Sequence, residues 1–151
     1  MKLPRRGLAS GEGGATAVEF SLVVPVVLLL VLATFDFARA VNAYVVVSNA
    51  SREGARYAVV HPGARPGDIA TAVASRAVPL APSLLTVNAW YYDGSTFQPW
   101  PIGGVTATAD GFPVRVEVSY PWAAATTLVG GFFSAGSGSS TFSASSTMVL
   151  P

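Results

Sequence analysis

The sequence predicts an α+β fold in which one long N-terminal helix, membrane-spanning in its first half, packs on a small antiparallel β-sheet. Three observations predict it. Residues 20–35, FSLVVPVVLLLVLATF, hold no charge, and helix-compatible sequence runs on without a break to about Val60. Beyond Pro82 the apolar period changes from helical to alternating, and helix followed by strand is the pattern of α+β domains. A chain of 151 residues has room for an anchor and one compact domain, but not for a second catalytic domain.

The first element, residues 1–14, carries Lys2, Arg5 and Arg6 and then Ser10, Gly11, Glu12, Gly13 and Gly14. It is a basic, glycine-rich leader with nothing to bury, and it is expected to be disordered and cytoplasmic. At about 1.5 Å per residue, residues 20–35 cross most but not all of a roughly 30 Å hydrocarbon core. The flanking residues supply the rest, which sets the span at 15–38. Pro25 lacks an amide donor and should kink the span or loosen its first turns, a defect membrane helices tolerate. Asp36 and Arg39 follow in place of a small-residue cleavage site, which disfavours an ordinary cleaved secretory signal.

Residues 39–151 form the expected extracytoplasmic domain. Phe37, Val41, Tyr44, Ser48, Ala55 and Ala58 recur at helical spacings and mark the face that should lie on it. His61-Pro62-Gly63 ends the helix. A second, short helix is signalled by Pro66-Gly67-Asp68, with Asp68 as cap and Ile69, Ala72, Val73 and Ala77 on one face; Pro79 and Pro82 stop it. Leu85, Val87, Ala89 and Tyr91 then alternate with Thr86, Asn88, Trp90 and Tyr92, Asp93-Gly94 is a turn, and residues 96–100 return as the partner strand. Residues 114–120 alternate most clearly, with Val114, Val116, Val118 and Tyr120 facing one way. Residues 121–139 read as a long loop, and residues 141–150 as the last strand with Phe142, Ala144, Ser146, Met148 and Leu150 on one side.

Several functions are disfavoured by composition. A formal net charge of +1 with scattered basic residues is no footprint for nucleic acid. Cysteine is absent, which removes disulfides and thiolate metal sites. The one histidine, His61, has no ligand neighbours in sequence, and Asp68, Asp93, Asp110 and Glu117 lack metal-ligand spacing. There is no Gly-x-Ser-x-Gly elbow, and neither Gly103-Gly104 nor Gly130-Gly131 precedes the lysine of a phosphate loop. No catalytic, cofactor-binding or metal-ligating residue is therefore assigned, and no cofactor is expected.

Two constellations remain. In Gly14-Ala15-Thr16-Ala17-Val18-Glu19-Phe20 a glycine precedes the span and a lone carboxylate stands at the fifth residue after it. A carboxylate near a helix N-terminus needs no further role. The run nevertheless resembles the processing site of the type IV pilin superfamily. That resemblance implies cleavage between Gly14 and Ala15 by a prepilin-type aspartyl peptidase, and a partner for Glu19 in the α-amino group of Ala15 or of a neighbouring subunit. The second constellation is Asn49-Ala50-Ser51-Arg52-Glu53-Gly54-Ala55-Arg56-Tyr57-Ala58. Arg52 and Arg56 share a helix face, with Glu53 beside them, and Gly54, costing about 1 kcal/mol against alanine, suggests close approach by another element. The stretch fits either a solvated polar face or a docking surface.

With GATAVEF, the proline in the span, VEVSYPW and the terminal SASSTMVLP, this second stretch resembles the TadE-like minor pseudopilins of the tight-adherence (Tad/Flp) pilus machinery. The departure is at the end, where Val149, Leu150 and Pro151 replace a charged residue after Thr-Met. The resemblance implies a pilin-like, non-enzymatic, single-pass inner-membrane subunit with its domain outside, possessing docking residues among Glu19, Arg52, Glu53, Gly54 and Arg56. Its implied partners are the peptidase, other pilus subunits and the inner-membrane assembly platform, in a pilus serving adhesion and biofilm formation. A rival reading is a tethered binding module whose Trp90, Tyr91, Tyr92, Trp100 and Trp122 stack on a glycan or peptide. A membrane-bound hydrolase would need serine and carboxylates to converge.

Overall fold

The computed structural model describes residues 12–105, 111–126 and 139–149. Lys2, Arg5 and Arg6 of the leader lie outside them, as do Asp110, Leu128, Gly130-Gly131, Phe132, Phe133 and Leu150. The chain divides into two compact units, Met1–Phe35 and Asp36–Pro151.

Helix α1 spans Glu12–Val60 and contains Pro25. It begins within the expected leader rather than at Ala15, so Gly14 is a helical residue. Extending a formed helix costs far less than nucleating one, and the long apolar run supplies the nucleus. In the first unit the apolar side chains are bare: Phe20, Leu22, Val26, Leu28 and Leu30 are all exposed. The helix is long and apolar enough to cross a membrane, and none of its most apolar window is buried within the chain.

In the second unit α1 presents a different face. Ala40, Ala43, Val47, Ala50, Gly54 and Ala58 recur every three or four residues and are buried. The expected face is corrected in its first half: Phe37 is 57% exposed and Tyr44 52%, while Ala55 and Ala58 are buried as expected. The buried stripe lies one residue back, about 100° around the helix. Small side chains let a helix backbone come close to its neighbours, and phenylalanine or tyrosine on that stripe would hold it off.

Helix α2 (Pro66–Arg76) follows, with Ile69 and Val73 buried. Asp68 is its third residue rather than its cap, and its carboxylate accepts the backbone N–H of the N-cap residue Arg65 at 2.9 Å. A 3-10 turn (Pro82–Leu84) leads into four strands, β1 (Thr86–Tyr92), β2 (Phe97–Pro99), β3 (Pro113–Ala123) and β4 (Ser139–Val149). They form one antiparallel sheet in the order β2-β1-β3-β4. Val114, Val116 and Val118 on β3 are fully buried and share one core with Val47, Ala50 and Ala58 of α1 and Ile69 and Val73 of α2. The sheet covers that core on one side only, which is why its strands alternate.

The expected loop at 121–139 is shortened by the strand. Pro121, Trp122 and Ala123 belong to β3 and pair with Thr141, Ser140 and Ser139. Proline ordinarily argues against a central strand, but β1 pairs only with residues 114–119 of β3. Pro113 and Pro121 both lie beyond that stretch, where β3 has a neighbour on one side alone and proline is tolerated.

Candidate assembly site

Gly54 is the point where three elements meet. A Cβ on it would lie 2.6 Å from Val73 Cγ2 of α2 and 3.0 Å from Val116 Cγ1 of β3. Glycine therefore lets α1 approach both elements more closely than any side chain would. Its burial makes Gly54 a support inside the domain and not itself an exposed contact surface. Arg52 and Arg56 leave the same stretch of helix on the outer side and are exposed, while Glu53 is half-buried.

These three residues line a hollow of about 640 Å³, completed by Arg76 from the last turn of α2 and by the apolar side chains of Val46, Val78 and Met148. Arg76 was not singled out in the sequence. It lies twenty residues beyond Arg56, and only the turn between the helices brings it alongside. Among the described residues the single ion pair joins Arg39 to Asp36 at 3.1 Å, so Arg52, Arg56 and Arg76 have no carboxylate partner there.

Asp36 is the other residue that sequence reading missed. It is 2% exposed, and its carboxylate accepts the backbone N–H groups of Ala125 and Thr126 at 3.0 Å each and the Thr126 hydroxyl at 2.7 Å. A buried carboxylate is tolerable only when its oxygens are satisfied in this way. The signal in the sequence was a lone acid interrupting an apolar run, three residues before Arg39; its partners ninety residues away carry none. Just beyond it, Ala40, Ala43 and Trp122 form a second buried cluster.

In the first unit Gly14, Ala15 and Glu19 are exposed, and a Cβ on Gly14 would meet nothing within 4 Å. The aromatic residues do not converge on one open groove. Trp100 and Trp122 are buried, and the Trp100 indole N–H donates to the Ala64 carbonyl at 2.8 Å. Tyr91 packs against the core, and Tyr92 stacks edge-on with Phe97 at the far end of the sheet. His61 stacks on Tyr57, with ring centroids 4.4 Å apart. Among the described residues no group of histidine and carboxylate side chains could hold a metal ion.

Residues 14–56 match the family model of TadE-like proteins. The match opens on Gly14 and closes on Arg56, so it takes in the glycine, Glu19, Asp36 and the whole Arg52-Glu53-Gly54-Ala55-Arg56 turn, and stops before α2 and the sheet. No curated protein and no solved structure matches the chain.

Proposed function

We propose that this chain is a minor pseudopilin, a non-enzymatic structural subunit that starts or supports assembly of a Tad-type surface pilus used in adhesion. The TadE-like match over residues 14–56 is the observation that carries this reading. In it, residues 1–14 are a cytoplasmic leader, residues 15–38 span the inner membrane, and residues 39–151 lie outside. A prepilin-type peptidase cuts between Gly14 and Ala15, and the anchor stays on the mature subunit. The site lies in the first turn of α1, where Gly13 and Gly14 weaken the helix by about 1 kcal/mol each against alanine. That end is the easiest to unwind into the extended backbone a protease grips.

Glu19 then stands about one helical turn from the new amino group of Ala15. A carboxylate within hydrocarbon costs roughly 2.5–3.5 kcal/mol at a helix centre and less near the interface, which favours pairing with the amino terminus of a neighbouring subunit. Such a pair sets the axial register between packed helices. Other pilus subunits and the inner-membrane assembly platform are the remaining partners.

The test is the intact mass of the protein recovered from membranes. A mature chain starting at Ala15, with Gly14→Leu accumulating as an uncut precursor, is expected; a chain starting within residues 34–42 would instead mean a conventional signal peptide. Glu19→Gln and Glu19→Ala should still be cut and inserted but should no longer co-purify with other pilus subunits.

A further inference from the structure

We propose that the hollow between α1, α2 and the end of β4 is the receptor for an acidic peptide segment of another pilus subunit, a step that rests on the pseudopilin reading above. Arg52, Arg56 and Arg76 project into one concavity of about 640 Å³, a size typical of ligand clefts, against one carboxylate, Glu53. The excess is two positive charges (three arginines less one glutamate). Like charges held on one concave wall repel until an anion enters, and guanidinium groups suit carboxylates because they bind them through two parallel hydrogen bonds.

No other described carboxylate of the second unit is free to fill the role. Asp36 accepts from Ala125 and Thr126, Asp68 from the backbone N–H of Arg65, Asp93 from its own turn and Glu117 from the Ser143 hydroxyl, and none of the four lines the hollow. Among the described residues, Glu53 is the only carboxylate that lines the hollow. Val46, Val78 and Met148 give the hollow an apolar wall, which suits a peptide carrying aliphatic side chains beside its carboxylates and gives a bare inorganic anion nothing to bind. A lipid headgroup is badly placed: from Asp36, near the end of the proposed span, to Arg52 the helix climbs about 24 Å, at 1.5 Å for each of 16 residues. Nucleic acid is unsuited to an isolated cluster on a chain of net charge +1.

The experiment uses the full chain in detergent and a fluorescein-labelled peptide of six glutamates alternating with leucines, read by anisotropy at about 0.15 M salt. Arg52→Gln, Arg56→Gln and Arg76→Gln should each weaken binding about fivefold or more, and the glutamine version of the peptide should not bind. Arg65→Gln removes an equally exposed charge outside the hollow and should change binding less than about twofold. An equal loss in Arg65→Gln, or phosphatidylglycerol vesicles or inorganic phosphate binding through the same arginines more tightly than the peptide, would overturn the proposal.

A second arm separates it from the functional reading. The triple variant Arg52→Gln, Arg56→Gln, Arg76→Gln, first checked to melt like the parent, is isolated from cells under native conditions. Undiminished co-isolation of pilus subunits overturns the acidic receptor and leaves the pseudopilin reading intact. Arginine-dependent peptide binding by a parent chain that co-isolates no pilus subunit would keep the acidic-peptide chemistry of the hollow but overturn a pilus subunit as its occupant, together with the pseudopilin reading.

Discussion

Gly54 and Asp36 make opposite demands on their surroundings. Gly54 is defined by lack of bulk, and the Val73 and Val116 methyl groups already occupy the space a side chain would need. Gly54→Val should destabilise the domain by about 1–3 kcal/mol, the usual cost of overpacking, although valine is slightly the better helix former. Urea unfolding of the full chain in detergent measures this, and an unchanged midpoint would mean that both valines yield without cost. Asp36 is defined by satisfaction, accepting three hydrogen bonds from Ala125 and Thr126. Asp36→Ala leaves two backbone N–H groups without their acceptor and should lower the melting temperature and expose the 124–126 segment to limited proteolysis. Cleavage there at the parental rate would show the carboxylate to be dispensable.

The β1–β2 hairpin offers a pH test of a whole element. Gly94 takes positive φ at the turn, and Asp93 organises the backbone around it. The Asp93 carboxyl is held well below the usual carboxylate range, chiefly by the backbone N–H of Thr96, then by the N–H and hydroxyl of Ser95, with the Gln98 amide adding to these. A depressed folded pKa means that the charged form is the one the fold prefers. The stabilisation is therefore complete above the ordinary carboxylate pKa of about 4 and is lost as pH falls through that value toward the folded one. Asp93→Asn should melt below the parent at pH 7, with the gap closing toward pH 2. A gap that stayed constant with pH would show that the turn does not distinguish the charged from the neutral side chain. The same element was readable in the sequence, since Asp-Gly between alternating stretches is a local signal. The length of β3 was not. Its prolines are compatible with strand only because β1 stops short of them, and a pairing length is a non-local property.

For the molecule as a whole, the decisive measurement is topology. Lys2, Arg5 and Arg6 precede the span and no comparable basic cluster follows it closely, the bias that keeps an N-terminus in the cytoplasm. Protease added to intact spheroplasts should then digest the C-terminal domain. Protection until lysis would reverse the orientation and, with it, the side on which the arginine hollow meets a partner. The two units also differ in what stabilises them. The first is a bare apolar helix long enough to cross a membrane, whereas the second buries its own valine core.

What the residues determine without help from the fold is everything set by local composition and period: an uncharged apolar run within a longer helix, a helix continuing to Val60, alternating strands, and the GATAVEF and SREGAR segments that the TadE-like match encloses. Tertiary structure alone decided which stripe of α1 is buried, because Phe37 and Ala40 lie on equally regular helical rows and only the packing of Ala40 and Ala43 with Trp122, and of Gly54 against Val73 and Val116, selects the smaller one. It also decided that Asp36 is a buried anchor and that Arg76 joins Arg52 and Arg56. Each of these depends on segments distant in sequence, and a contact made by chain reversal leaves no trace in the spacing of the residues that make it.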